Sequence, residues 1–315
     1  MPKPILQNLH FVFLCQMQLK FKHKLVRDLA WVLQSANLLD DPLATDTSSF
    51  IEASSIEAHL KELDQNPKPL TAFLAARNTH RLGHYFEALV FYGLDYAANY
   101  RRVATNIPIR TQKGISIGEA DLVVYNKSTT EYEHWELAVK FFLAHTAAAE
   151  TTYIGPNAND YLHLKLKKLK EHQCKIFDCP EGKLVLNDLS IPWVTSKLYV
   201  KGILFYHPNQ LYKIPPYLHQ KHLSSWWIYA KEAPHFFKQE NRFVLLHKKQ
   251  WLSTPEAPTE TLNKYSFLEL LDAIFLENPR SLYVSVYKGG VLQSQGFVVH
   301  NAWPIFKQKK APYNS

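Results

Sequence analysis

Charged side chains interrupt segments of this chain that otherwise have the pattern of core elements. Glu87 lies in RLGHYFEALVFYGL, Asp121 in IGEADLVVY, and Glu136 and Lys140 both lie in HWELAVKFFL. A buried carboxylate or ammonium group loses its hydration and needs a partner or a metal ion to compensate. We therefore expect the fold to bring these charges together, and acids that converge beside a lysine suit a divalent cation and a positioned water.

Length and composition predict a globular protein with a sizeable core. The chain has 315 residues, of which 46% are hydrophobic and 20% charged, which disfavours global disorder and suits one large domain or two ordinary ones. The net charge is +8 with histidine neutral. This charge is compatible with a polyanionic partner such as nucleic acid, although many soluble proteins are mildly basic.

Cysteine usage and hydropathy favour a cytoplasmic location. The odd number and the spacing of the cysteines, Cys15, Cys174 and Cys179, argue against a disulfide framework or a zinc knuckle. No apolar run approaches the roughly 18–20 residues of a transmembrane helix, and the start of the chain lacks the features of a signal peptide. We predict a cytoplasmic protein without a membrane partner, in which residues 1–22 form a flexible arm or an extended start.

Apolar residues surround Glu87 on a helix that we predict over 81–95. At about 100° per residue, Glu87 shares a stripe with Gly83 and Leu94, so it does not face a plain solvent surface. Gly83, one turn earlier, leaves space above the carboxylate. Glu87 is therefore either a functional acid or one half of a structural ion pair. Its candidate structural partners are Arg81 and His84.

Three strands are predicted next, over 103–110, 117–125 and 133–143. Successive side chains of a strand point to opposite faces, so alternation assigns each residue to a face. In the second strand, Asp121 shares a face with Glu119. The third strand has an apolar face made of Trp135, Leu137, Val139, Phe141 and Leu143. Its opposite face carries His134, Glu136, Ala138 and Lys140.

The residue pattern then predicts a helix over 158–173 and a buried strand over 198–206. The leucines of the helix form one stripe that Gln173 extends, and Asn157 is a candidate N-cap. Lysines cover the other side of this helix. A solvated helix face explains them better than a dedicated phosphate track does.

Further helices and strands are predicted on both sides of this central pattern. Helices are expected over 24–35, 55–64, 70–79 and 266–277, and strands over 226–231, 242–247, 282–287 and 291–299. A change in composition near 210–220 suggests a boundary. We therefore predict residues 1–22 as the arm, 23–210 as a helical lead-in with an α/β core, and 211–315 as an α+β extension.

This order of elements resembles the PD-(D/E)xK superfamily, whose restriction-endonuclease-like core is αβββαβ. The strings RDLAWVLQS, GEADLVV and LKLKKLKEHQ also resemble a bacterial family of unknown function grouped with that superfamily. The resemblance implies a nuclease that uses Mg²⁺ or Mn²⁺ and acts on nucleic acid, with DNA preferred. It implies metal ligands at Glu87, Asp121 and Glu136, a catalytic lysine at Lys140 and a supporting polar residue at Gln173.

The chain departs from the superfamily pattern at two positions. The acid normally stands two residues before the lysine, where this chain has Ala138, and Glu136 lies one pleat earlier on the same face. The proline usual before the aspartate is Ala120. These departures leave two alternatives: an inactive member that binds nucleic acid or a protein partner, and a metal-independent carboxylate enzyme such as a glycosidase.

Overall fold

The computed structural model describes residues 21–45, 53–148, 150–255 and 258–305. Most of the predicted arm at 1–22 lies outside these ranges. Four helices come first: α1 (Lys24–Gln34), α2 (Ala53–Gln65), α3 (Lys68–Ala75) and α4 (Leu82–Leu94). The next elements are β1 (Tyr100–Arg110), β2 (Ser116–Asn126), β3 (Glu131–Ala147), β4 (Glu150–Ile154), α5 (Leu162–Glu171), α6 (Pro180–Asp188) and β5 (Thr195–Tyr206). The last are β6 (Leu223–Tyr229), α7 (Ala233–Phe236), β7 (Arg242–Leu246), α8 (Lys264–Glu277), β8 (Leu282–Lys288) and β9 (Val291–Val299).

One mixed sheet connects the two halves of the described chain. Its nine strands follow the order β1-β2-β3-β5-β6-β9-β8-β7, and β4 pairs with β3 at the side. The strands β1, β2 and β3 form an antiparallel meander. The strands β3, β5, β6 and β9 run parallel to one another. Parallel neighbours need a long crossover, and α5 and α6 lie in the one between β3 and β5.

The alternation predicted for the third strand is confirmed by the packing of β3. Trp135, Leu137, Phe141 and Leu143 join a core cluster that contains residues of α1 and α4. Phe142 and Ala144 instead pack with the buried leucines of α5, Leu162, Leu166 and Leu169. The sheet is therefore covered by α1 and α4 on one face and by α5 on the other, and each helix presents its predicted apolar stripe.

The helix predicted over 158–173 is shorter than expected at both ends. It begins at Leu162, so the prediction of Asn157 as N-cap is wrong; the N-cap is Tyr161, without a side-chain capping bond. The segment 155–160 forms a turn instead, in which Gly155 N–H donates to the Asp160 carbonyl at 2.8 Å. Gln173 lies beyond the helix, at the start of a 3-10 turn that ends at Asp178.

Other boundaries differ because tertiary pairing decides where a strand or helix ends. The third strand extends to 131–147, since β5 pairs with it along most of its length. The helix predicted over 70–79 ends at Ala75, and the strand predicted over 226–231 spans Leu223–Tyr229. The elements β4, α6 and α7 were not predicted from the pattern. No helix in the described ranges is long and apolar enough to cross a membrane.

Candidate functional site

The strands β2 and β3 separate at the position of the predicted acids. Their ladder runs from the pair Asn126–Glu131 to the pair Leu122–Trp135. Beyond it, β2 remains paired with β1, whereas β3 remains paired with β5. Asp121 and Glu136 are the first residues past the last ladder pair. We call this point of separation the fork.

Carboxylates replace the sheet hydrogen bonds at the fork. The Leu137 N–H donates to Asp121 Oδ2 at 2.8 Å. In the reverse direction, the backbone N–H of Asp121 donates to the Glu136 carboxylate. Each acid therefore satisfies a backbone donor of the opposite strand, which fixes both carboxylates where the sheet opens.

Two further side chains hold Glu136, which is 0% exposed. Gln173 Nε2 donates to its Oε2 at 2.9 Å, and His134 Nε2 lies 3.0 Å from its Oε1. Burial lowers the pKa of His134 to about 4, so the ring is neutral at physiological pH. The other ring nitrogen, Nδ1, lies 3.4 Å from Ser196 Oγ, whose hydroxyl donates to the Cys174 carbonyl.

The carboxylate of Glu87 reaches the same region from α4. Its Oε1 lies 3.9 Å from the position that a Cβ of Gly83 would occupy, so the predicted space above it is present. The Asn106 amide hydrogen-bonds Glu87 and donates to Glu119 Oε1 at 3.2 Å. Asn106 has a φ of +49°, in the left-handed region that asparagine tolerates better than most residues. This strained position in β1 directs an amide at two of the acids.

The acids raise one another's pKa values. Burial and then the neighbouring Glu136 raise the pKa of Asp121 to about 8. Burial and then Glu87 raise the pKa of Glu136 to about 7. Burial also raises the pKa of Glu87. Carboxylates in this state need a shared proton or a cation to be stable at neutral pH.

Lys140 faces a groove of about 690 Å³ that Glu87 and Ala138 also line. Burial, followed by the nearby Lys165, lowers the pKa of its ammonium group. Lys140 forms no ion pair with any residue that the structure describes. We call this cavity the fork groove.

The structure thus places the five predicted residues in three positions. Glu87 and Lys140 line the fork groove, Asp121 and Glu136 lie at the fork, and Gln173 supports Glu136. Glu119 is exposed and is linked to Glu87 through Asn106. Among the described residues, no three His, Cys, Asp or Glu side chains are already arranged to hold a metal ion.

Sequence reasoning missed two contributors to this region. His134 lies two residues before Glu136 on the same strand face, and this spacing is enough to predict a contact between the two side chains. The sequence contains no comparable signal for Asn106. Its role depends on a left-handed backbone conformation, which an asparagine within a strand pattern does not predict. Both residues act on the acids through hydrogen bonds.

Comparison with known proteins assigns the chain to a family. A family model described as "Domain of unknown function (DUF1853)" matches residues 27–299, and the chain belongs to that family. Neither the curated proteins nor the solved structures contain a match to the chain. The family description carries no activity, so a function has to be argued from the site.

Proposed function

We propose that this protein is a metal-dependent phosphodiesterase of the nuclease type that acts on nucleic acid, with DNA as the first substrate to test. The observation that carries the proposal is the meeting of Asp121 and Glu136 at the fork, with Glu87 close enough to raise the pKa of both. Clustered acids beside a lysine provide the two requirements of phosphodiester hydrolysis: charge neutralisation and an activated water.

The order of elements supports the proposal. The helix α4 is followed by the antiparallel strands β1, β2 and β3, then by α5 and by β5, which lies parallel to β3. Apart from the additional elements β4 and α6 between β3 and β5, this order matches the αβββαβ order expected of a restriction-endonuclease-like core. In that core the acids come from the first helix and from the second and third strands, as Glu87, Asp121 and Glu136 do here.

The donor set fits Mg²⁺ or Mn²⁺, which prefer hard carboxylate oxygens. Burial and then the neighbouring acids raise the pKa values of Asp121 and Glu136, so a cation at this point would stabilise their ionised forms. Glu87, Asp121 and Glu136 would hold the ion, after side-chain adjustment from the arrangement described above. A bound divalent ion would supply charge neutralisation at the phosphate and a more acidic water.

The chain's own residues have separable roles in this proposal. Lys140 lines the groove with a lowered pKa, so it can exchange a proton with water or stabilise negative charge that develops on the phosphate. Gln173 and His134 fix the orientation of Glu136. Asn106 orients Glu87, and Ala138 leaves space in the groove in front of β3.

One observation favours an inactive protein that binds nucleic acid or a protein partner. Both carboxylate oxygens of the fully buried Glu136 accept hydrogen bonds from protein donors, and Ala138 occupies the position where the superfamily has its acid. If these bonds persist in solution, Glu136 is a structural acid. Binding without turnover would then be the function.

A cleavage assay distinguishes these two functions. Purified protein is incubated with single-stranded DNA, duplex DNA and RNA in Mg²⁺ or Mn²⁺, with a chelator as the negative control. We expect cleavage that Asp121→Asn reduces at least about a hundredfold, comparable with losing a key electrostatic group. Asp188→Asn, which removes an exposed aspartate at the end of α6 that does not line the fork groove, is the matched control and should retain most activity. Equal cleavage by the Asp121→Asn protein would contradict the assigned site.

Metal binding is tested independently of activity by thermal unfolding. Mg²⁺ or Mn²⁺ should raise the free energy of unfolding by about 2.7 kcal/mol when the free ion is at a hundred times its Kd, and the Tm should rise accordingly. Asp121→Asn should abolish this shift, and Asp188→Asn should preserve it. A full shift in the Asp121→Asn protein would place the ion elsewhere.

A further inference from the structure

A second cavity adjoins the fork groove and is built largely by the C-terminal half of the chain. Its volume is about 620 Å³, and we call it the outer groove. The two cavities share Asn157, Asn159, Lys248 and Trp251 as lining residues. The outer groove is therefore a continuation of the space in front of Lys140.

The charges in the outer groove all have one sign. Lys248 and Arg280 line it, and no carboxylate does. Lys248 and Arg280 are exposed, and neither forms an ion pair with a residue in the described ranges. Three of the four lysines on α5 differ, because Lys165 pairs with Asp160 at 3.2 Å, Lys167 with Glu171 at 3.9 Å and Lys170 with Asp41. The outer groove thus presents uncompensated positive charge, which attracts polyanions.

The walls of the outer groove are fixed by hydrogen bonds between distant segments. The Ser281 hydroxyl donates to the carbonyl of Pro156, which ties the turn at 155–160 to the segment before β8. The Trp251 indole donates to the Leu246 carbonyl at 3.3 Å. On the other side, Lys24 of α1 donates to the carbonyl of Lys249 at 3.2 Å. These bonds fix the segments next to Lys248 and Arg280, the two permanently charged side chains that line the outer groove.

We propose that the outer groove binds the phosphate backbone of a single nucleic-acid strand that continues from the fork groove. The inference rests on the proposed function, because it assigns a path to that substrate. Each cavity has the volume of a small-molecule site, which accommodates one or two nucleotides of an unpaired strand and not a duplex. A positively charged channel with amide and aromatic side chains is typical of single-strand binding. Lys248 and Arg280 contact phosphates, and Asn157 and Asn159 supply adaptable hydrogen bonds.

Binding by fluorescence anisotropy tests the inference without any requirement for cleavage. The probe is a labelled single-stranded DNA of about 12 nucleotides, within the range of single-strand site sizes, and the same sequence as a duplex is the second probe. Titrations are made in a chelator at several salt concentrations. The test variant is Lys248→Ala/Arg280→Ala. The matched control is Lys183→Ala/Lys213→Ala, which removes equal charge from exposed residues that line neither groove.

We expect the wild-type protein to bind the single strand more tightly than the duplex. The groove variant should bind it on the order of tenfold more weakly, with a salt slope smaller by about 1.4, since each lost phosphate contact removes about 0.7 for a single strand. The control variant should bind like the wild type. An unchanged affinity and slope in the groove variant, absence of binding by the wild type, or tighter duplex binding would overturn the inference.

The proposed function and this inference fail in different experiments. The inference would be wrong, and the proposed function untouched, if Asp121-dependent cleavage occurred while the groove variant bound normally. The inference would stand if the groove variant lost affinity although no cleavage occurred. That second result would support the alternative function, an inactive protein that binds nucleic acid.

Discussion

Two buried carboxylate sites in this protein differ in how their charge is compensated. Asp28 of α1 is 0% exposed and receives hydrogen bonds from Lys24, Tyr85 and Ser253. At the fork, Asp121 and Glu136 lie beside each other and beside Glu87, and their pKa values rise to about 8 and about 7. Burial alone does not mark a functional acid. The fork differs from the Asp28 site because its acids lack a counter-charge among the described residues. The donors to Asp28 come from three parts of the chain.

The largest difference between the sites should appear when Asn replaces each aspartate. Asp28→Asn removes the charge that Lys24 and the two hydroxyl donors are arranged around, and breaking a buried pair costs about 3 kcal/mol or more. We expect the Tm to fall by roughly 6 °C or more. Circular dichroism melting at pH 7 measures this. A change below about 2 °C would show that the donors around Asp28 contribute little.

At the fork, Asp121→Asn should instead raise the free energy of unfolding at alkaline pH. Asp121 has a raised pKa in the folded protein, so the folded state keeps a proton that the unfolded state releases above about pH 4. Stability is therefore lost as the pH rises through about 8. Asp121→Asn removes this loss and keeps an acceptor for the Leu137 N–H. We expect a gain on the order of 1–2 kcal/mol at pH 8.5 without metal, and almost none at pH 4.

Melting curves of wild type and Asp121→Asn across this pH range test the prediction. Asp188→Asn is the control, since Asp188 is exposed and does not line the fork groove. Parallel curves for wild type and Asp121→Asn would mean that Asp121 is compensated as well as Asp28 is. The conclusion that the charge of Asp121 is less well compensated than that of Asp28 would then be wrong.

The smallest expected effect concerns the support of Glu136. Gln173→Ala removes a hydrogen bond to a group with a pKa of about 7, so the bond is made to a charged acceptor at pH 8.5 and to a neutral one at pH 5. Bonds to charged groups contribute about 1 kcal/mol more than neutral ones. The variant should therefore be destabilised by about 1 kcal/mol more at pH 8.5 than at pH 5, measured by urea unfolding. Equal destabilisation at both pH values would show that Glu136 does not titrate between them.

Local pattern predicted most of the central elements and the strand or helix on which each candidate residue lies, whereas the roles of these residues stay predictions. Alternation in β3 separated Trp135 and Leu137 from Glu136 and Lys140, because a strand buried on both faces still divides its side chains with a period of two. The helical stripe predicted Glu87 on the same side of α4 as Gly83, and the Glu87 carboxylate lies next to Gly83 in the structure. Charge in an apolar segment was an adequate signal wherever the fold left that charge uncompensated.

The same signal was insufficient where the partner is distant. Asp28 and Lys201 also lie in apolar segments, but neither was singled out. Lys201 is 0% exposed, donates to the Ser35 carbonyl at the end of α1, and has its pKa lowered by burial to about 7. Lys24 lies one helical turn before Asp28, but Tyr85 and Ser253 are brought to Asp28 only by the tertiary structure, as the Ser35 carbonyl is to Lys201. The fork and the outer groove were unpredictable for the same reason, since they depend on strand separation and on loops from the C-terminal half.

Hydrogen bonds join α1 to the C-terminal half of the chain, and they have a consequence for the synthesis of the protein. Asp28 and Ser253 are separated by 225 residues, and the buried Arg27 donates to the Thr254 carbonyl at 3.0 Å. At about 5–20 residues per second, a ribosome needs roughly 10–45 s to add that stretch. Throughout this interval Arg27 and Asp28 lack these two partners, so α1 cannot complete its contacts with the C-terminal half. The first helix of the described chain is secured only after residue 254 has left the ribosome.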